Sequence, residues 1–367
     1  MKIRGAILQE IGRPRPYKDS KPLAIAELEL HEPKSNELLL AIEAAGICHS
    51  DLSVVDGGRI RPVPMLLGHE ACGLVKQIGS QVKDISVGDR VVLTFSPRCE
   101  RCSGCASNGR SSCRTGALSN GAGELLSGGS RLTYNSKPIF HHLGVSGFAT
   151  HAVVDRSSVV KISNHIPPQV GALLGCAILT GGGAILNSAD VTKLESITVV
   201  GLGGVGLAGI ITAKALGVPN IYAIDINERK LSIAKNLGAT FALNPAEAIA
   251  RNVSSELVLE AAGSVKAIEA AIDLTAPGGN TVLTGLTPPN VGVAFSPLKL
   301  VGESRRISGS YLGSSLPSRD IPYFIKLWES GKLPIESLIS DVISLEEVNI
   351  GMDKLANGEA LRQVIRF

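Results

Sequence analysis

The chain has 367 residues, enough for two domains with separate cores, and its 44% hydrophobic and 19% charged content is that of an ordinary folded protein. A net charge of +3, with the basic residues scattered, argues against a nucleic-acid partner or an anionic membrane surface. The sequence has no low-complexity tract or internal repeat, and no signal-peptide pattern or membrane span is expected, so the chain reads as cytoplasmic.

The first residues, Met1 to Glu10, read as a strand. Next come two short polar clusters, Gly46-Ile-Cys48-His49-Ser50-Asp51 and Gly68-His69-Glu70. Four cysteines then fall within fifteen residues, Cys99, Cys102, Cys105 and Cys113, spaced C-x2-C-x2-C-x7-C and surrounded by charged and small residues. Two-residue spacers let consecutive thiolates turn toward one ion, and four sulfurs fill a tetrahedral zinc site, leaving no place for substrate. Disulfides would require an oxidising compartment, and an iron–sulfur cluster also takes four thiolates. Spacing and context favour structural zinc.

The glycine- and serine-rich stretch from Ser119 to Ser136 reads as a long surface loop. Cys176 follows in Leu174-Gly175-Cys176. Cys48, His69 and Cys176 are two thiolates and one imidazole from distant segments, a set that would leave the fourth zinc position open. Taken singly, the two cysteines read equally as small buried hydrophobes and His69 as a hydrogen-bonded loop histidine. Cys72 reads as buried packing.

From Ser196 a β-branched run enters Gly201-Leu-Gly203-Gly204-Val205-Gly206, and a helical stretch leaves it. In that context G-x-G-x-x-G binds a dinucleotide. Gly201 makes the tight turn, Gly203 lets backbone approach the pyrophosphate, and Gly206 lets helix pack on strand. A second strand, Asn220–Asp225, ends in an acid nineteen residues beyond Gly206. A carboxylate there binds ribose hydroxyls and repels a 2′-phosphate, favouring NAD, and Lys230 is placed to reach the same ribose. Strand-like runs at Thr240–Leu243, Leu257–Ala261, Asn280–Gly285 and Arg306–Tyr311, with a helical stretch Ser264–Leu274, complete a doubly wound α/β sheet over about 180–324. The alternating pattern near its end would leave an edge able to pair with another subunit.

These motifs, in order and with a terminal Gly358-Glu-Ala-Leu-Arg362, resemble the medium-chain, zinc-dependent alcohol dehydrogenases nearly end to end. The long segment between the lobe and His141-His142-Leu-Gly144 is most similar to the liver-type, class III-like branch. The resemblance implies a Rossmann domain plus a mainly-β GroES-like catalytic domain built from 1–179 and 325–367. It implies two zinc ions per subunit: a catalytic one on Cys48, His69 and Cys176, and a structural one on the lobe. Glu70 would stand behind the catalytic metal, Asp51 would orient His69, and Ser50 would take the substrate hydroxyl proton.

The relay histidine of the family is replaced here by Ser53, so water or His49 would complete the path. His49 and Arg362 would contact the diphosphate, with Thr180, Gly204, Val205 and Leu286 also touching NAD. Phe95, Leu118, His142, Leu143, Leu286 and Tyr311 would line an apolar substrate pocket, and Arg59 could lie at its mouth. The implied reaction is reversible hydride transfer between primary or aromatic alcohols, or their aldehydes, and NAD, in a homodimer or homotetramer. The alternatives are an S-(hydroxymethyl)glutathione dehydrogenase and a non-catalytic, redox-responsive protein binding zinc and NAD. The former is disfavoured because Ala117 stands where that branch commonly carries arginine, with Arg114 out of register.

Overall fold

The computed structural model describes all 367 residues, which divide into two compact units: Met1–Cys176 with Ile339–Phe367, and Ala177–Leu338. The boundary expected near 324 lies further along the chain. The helix Pro317–Glu329 runs unbroken through that point and packs Phe324 against Gly182 of the same unit.

Two mainly antiparallel sheets form the first unit. The strand Glu37–Ile47 is nearly all apolar and buried along its length, because it pairs with Ala71–Ile78 on one side and with Arg362–Arg366 and His151–Asp155 on the other. Its register, Gln363 opposite Ile47, carries Arg362 to the Cys48 segment. In the other sheet Lys2–Leu8 is indeed a strand, flanked by Leu23–Leu30 and Met65–Leu66.

The expected loop from Ser119 to Ser136 holds in its middle, 123–131, but not at its ends. Its start completes the helix Arg114–Ala122, and Leu132–Tyr134 is a strand on Leu23–Leu30. Leu125 and Leu132 belong to the core with Ile7, Leu28, Leu66 and Ile139. Burial is possible there because Arg131 finds an internal carboxylate, Glu37.

The second unit holds a six-stranded parallel sheet. Across the sheet the strands run Phe241–Leu243, Asn220–Ile224, Ser196–Val200, Ser255–Glu260, Thr275–Leu283 and Arg306–Gly309. That is the 3-2-1-4-5-6 order of a doubly wound nucleotide fold, with its switch point between Ser196–Val200 and Ser255–Glu260. Tyr311 lies beyond the last strand, in a 3-10 turn. The helical run Pro168–Ser188 is long and apolar enough to cross a membrane, but 83% of its most apolar window is buried in the protein, as in a core helix.

Candidate metal centre and cofactor site

Cys48, His69 and Cys176 converge in the first unit, with Glu70 beside them. One ligand atom from each of the four lies within 4.8 Å of the others, and all four residues are buried. Cys48 immediately precedes the helix His49–Val55, and His69 lies just before the strand Ala71–Ile78. Cys176 comes from a π turn, Leu174–Ile178, within the helical run. Such turns insert one residue into a helix and reorient the side chains around it. Gly175 lets that turn press on Leu93, whose carbonyl would lie 2.1 Å from any added Cβ. Cys176 Sγ stands 3.4 Å from His69 Nε2.

Asp51 holds two of these residues at once. Its Oδ1 accepts from His69 Nδ1 at 2.9 Å, and its Oδ2 accepts the Cys48 N–H at 3.1 Å. Nε2 of His69 is thereby the nitrogen turned toward the two sulfurs. Burial opposes the Asp51 charge, but His69 and His142 outweigh it and hold the carboxyl below its ordinary range.

His142, expected as a pocket wall, stands beside Asp51 and His69. It is buried, its Nδ1 lies 3.2 Å from the same Asp51 oxygen without hydrogen-bond alignment, and its ring meets His69 edge-on at 5.5 Å. Phe95 flanks the other side, edge-on to His69 at 5.3 Å. Leu143 is buried, in the left-handed region at φ 52°. Leu118 is exposed on the helix Arg114–Ala122, and Leu286 and Tyr311 are exposed on the second unit.

Glu70 stands among the ligands with both carboxylate oxygens buried and without hydrogen-bond partners. Gly46 makes room for it, since an added Cβ would come within 2.6 Å of its Oε1. Burial raises its pKa to about 7 against the attraction of Arg362. An orphaned carboxylate beside two sulfurs and an imidazole nitrogen is the donor chemistry of a cation site, and it fits zinc.

Arg362, expected at the diphosphate with His49, is buried, 3.4 Å from Glu70 Oε2 and from the Ile47 carbonyl, while His49 is exposed. Ser50 is half-buried in the first turn of His49–Val55, and the Ser53 hydroxyl donates back to the Ser50 carbonyl at 3.0 Å, tying Ser53 to that turn.

The four lobe sulfurs lie within 4.8 Å of one another, with Cys102 Sγ 3.6 Å from Cys105 and 3.9 Å from Cys113. A zinc tetrahedron with about 2.3 Å bonds has sulfur–sulfur edges of about 3.8 Å, so the set fits. Cys113 Sγ accepts the N–H groups of Cys99 and Gly116, the bonding a thiolate takes at a helix start.

In the second unit Gly201 has φ +90° and turns the chain after Ser196–Val200. Gly206 packs so closely that a Cβ would lie 1.9 Å from the Gly201 carbonyl, whereas nothing stands within 4 Å of a Cβ at Gly203. The helix Gly204–Ala215 thus starts at an open backbone, with Val205 in its first turn. Asp225 directly follows the neighbouring strand, Asn220–Ile224, and accepts the Leu202 N–H at 2.7 Å, and the partly buried Lys230 lies in the next helix, Glu228–Asn236. Thr180 is part-exposed in the helix Leu179–Ser188. Sequence reasoning missed Glu260 at the switch point, whose Oε1 accepts the N–H groups of Ala262 and Gly263; its position as the last residue of a buried strand was the available signal.

Two family profiles match the chain: "Alcohol dehydrogenase GroES-like domain" over residues 34–164 and "Zinc-binding dehydrogenase" over residues 204–330. Together they span more than half of it. The chain belongs to the medium-chain, zinc-dependent alcohol dehydrogenase family. Among solved structures it is similar to an alcohol dehydrogenase zinc-binding domain protein from Burkholderia ambifaria, with 28% identity, TM-score 0.93, and coverage of 100% of this chain and 99% of that one. It is also similar to benzyl alcohol dehydrogenase from Acinetobacter calcoaceticus, with 28% identity, TM-score 0.91, and the same coverage. An Escherichia coli dehydrogenase complexed with NADH matches in fold, with 21% identity, TM-score 0.81, and coverage of 100% and 99%.

Proposed function

We propose that this oxidoreductase is an NAD-dependent alcohol dehydrogenase acting reversibly on primary and aromatic alcohols, with two zinc ions per chain. The observation that carries this reading is the meeting of Cys48, His69 and Cys176 with Asp51 locked behind His69. A set of three protein donors leaves a coordination position for substrate, which a structural site would not need. Bound there, zinc would supply Lewis acidity, easing proton loss from an alcohol and polarising an aldehyde carbonyl.

The chain's own residues do the rest. Asp51 keeps the His69 proton on Nδ1. Ser50 offers its hydroxyl to the substrate proton, with its turn fixed by Ser53. Glu70, held by Arg362, supplies a movable negative charge next to the ligands. The open amides at Gly203–Val205 take the diphosphate, and Asp225 takes the ribose and disfavours a 2′-phosphate. The buried Phe95 supports an apolar substrate, and the similarity to a benzyl alcohol dehydrogenase supports an aromatic one. The long segment built into the core by Arg131 is the feature on which a liver-type affiliation rests. Ala117 and the exposed Arg114 continue to disfavour the glutathione-adduct reading.

A homo-oligomer is part of the reading, since Arg306–Gly309 is a sheet edge and Phe295, Leu298 and Val301 are exposed nearby in sequence. So is a cytoplasmic location, because six thiolates must stay reduced to hold metal. The test is the initial rate of NAD reduction across aliphatic, benzylic and furanic alcohols, with and without glutathione, and with NADP as control. Fast benzylic turnover with NAD is expected. No turnover of any alcohol by protein holding two zincs would overturn the proposal.

A further inference from the structure

The helix Arg114–Ala122 touches both segments whose rings flank His69. It begins at lobe residue Cys113, whose sulfur accepts the Gly116 N–H at 3.3 Å. Gly116 packs on the strand-end segment so tightly that a Cβ would lie 2.3 Å from the Pro97 carbonyl. One turn later Asn120, only 7% exposed, donates from Nδ2 to the Phe95 carbonyl at 2.7 Å. At its C-terminal end the Gly123 carbonyl accepts the His141 N–H at 2.8 Å. The Phe95 and His142 rings therefore hang from two backbone segments bonded to this one short helix.

Asn120 is an expensive residue to keep. Its Oδ1 is buried with no hydrogen-bond partner, a cost of roughly 1–3 kcal/mol. An apolar side chain of similar size would avoid that cost, so the residue is explained by what its Nδ2 holds rather than by packing.

We infer that Asn120 is a positioning residue: by holding the Phe95 carbonyl to the lobe helix it sets where the Phe95 ring stands against His69, and so which alcohols fit beside the catalytic ligands. This rests on the proposed role of Cys48, His69 and Cys176. Released from Asn120, the 95–97 segment can shift, and displacements on the order of an ångström near reacting groups change rates by as much as about a hundredfold.

The experiment uses Asn120→Ala and, as an uncharged variant of similar size lacking the donor, Asn120→Leu, either of which suffices if the other fails to fold. The first readout is the ratio of kcat/KM for benzyl alcohol to that for ethanol, which does not depend on the fraction of folded protein. The second is the visible absorption of Co(II) exchanged into the Cys48–His69–Cys176 site, which needs no turnover. The inference expects the ratio to change by about threefold or more, or the cobalt absorption to shift, with two metals still bound per chain. A lowered Tm with the wild-type ratio and wild-type cobalt spectrum would overturn it. Wild-type protein holding two zincs that oxidises no alcohol of the panel would refute the proposed function instead, and the cobalt spectrum would then decide the role of Asn120 by itself.

Discussion

Arg131 and Glu37, 94 residues apart in the chain, are joined inside the first unit by two parallel hydrogen bonds, Nε to Oε2 at 2.8 Å and an Nη to Oε1 at 2.5 Å. Burial pushes the Glu37 carboxyl up, but the Arg131 guanidinium, the Lys34 N–H and the Ser127 hydroxyl together outweigh it and hold the group below its ordinary value of 4.5. Because the folded pKa is depressed, the stabilisation is complete above the ordinary carboxylate range and is lost as pH falls through the lowered value. Glu37→Gln leaves the guanidinium buried and uncompensated, and is expected to cost about 3–5 kcal/mol at pH 7. Urea midpoints for wild type and variant should converge in acid. A gap that stays constant from pH 7 to pH 3 would contradict the assignment.

Asp51 and His142 allow a graded comparison. Asp51→Asn removes the charge and leaves one acceptor oxygen where the His69 Nδ1–H and the Cys48 N–H each need one, and should weaken zinc binding or activity by about 10–100-fold. His142→Phe keeps a ring against His69 and leaves the 2.9 Å bond intact, so its loss of zinc affinity should be clearly smaller. Chelator competition at the catalytic site measures both, and equal losses would mean that His142 carries the orientation as much as Asp51 does.

Gly203 and Gly206 separate folding from cofactor binding. Gly206→Ala places a methyl group 1.9 Å from the Gly201 carbonyl and should destabilise the second unit strongly. Gly203→Ala meets nothing within 4 Å and has a negative φ, so its Tm should stay close to wild type while NADH affinity falls. Thermal melts and fluorescence titration with NADH distinguish the two, and unchanged NADH binding by Gly203→Ala would remove the diphosphate from this loop.

The lobe makes its own prediction. Cys102→Ser should reduce bound zinc from two ions to one and lower Tm, because closed four-thiolate sites contribute folding energy directly. The remaining zinc should sit at Cys48, His69 and Cys176, so metal analysis showing two zincs in this variant would exclude the lobe as a site.

Where local chemistry decides structure, the sequence was legible. The glycine run needs a turn, a close packing and an open approach at fixed offsets, and Gly201, Gly206 and Gly203 supply them in that order. The lobe was legible because its spacing alone limits where the sulfurs can go. What escaped depends on partners distant in sequence. Arg131 looked like part of a polar loop until Glu37 was found waiting for it. The Arg362–Glu70 ion pair follows from strand pairing at Gln363 and Ile47, which no local pattern announces. Asn120 carried no motif at all, since it acts on Phe95, which itself sits beside a metal ligand, and the place of His142 beside Asp51 was equally beyond any local pattern.

Cys72, the seventh thiol, has Gly171 packed directly over its sulfur; it is wholly buried, and burial raises its pKa well above that of a free cysteine. With the other six committed to two ions, loaded protein would present no free thiol to an alkylating reagent or a peroxide. Labelling by a thiol dye would then count departed metal, and cysteine oxidation would begin with demetallation rather than with an exposed thiol.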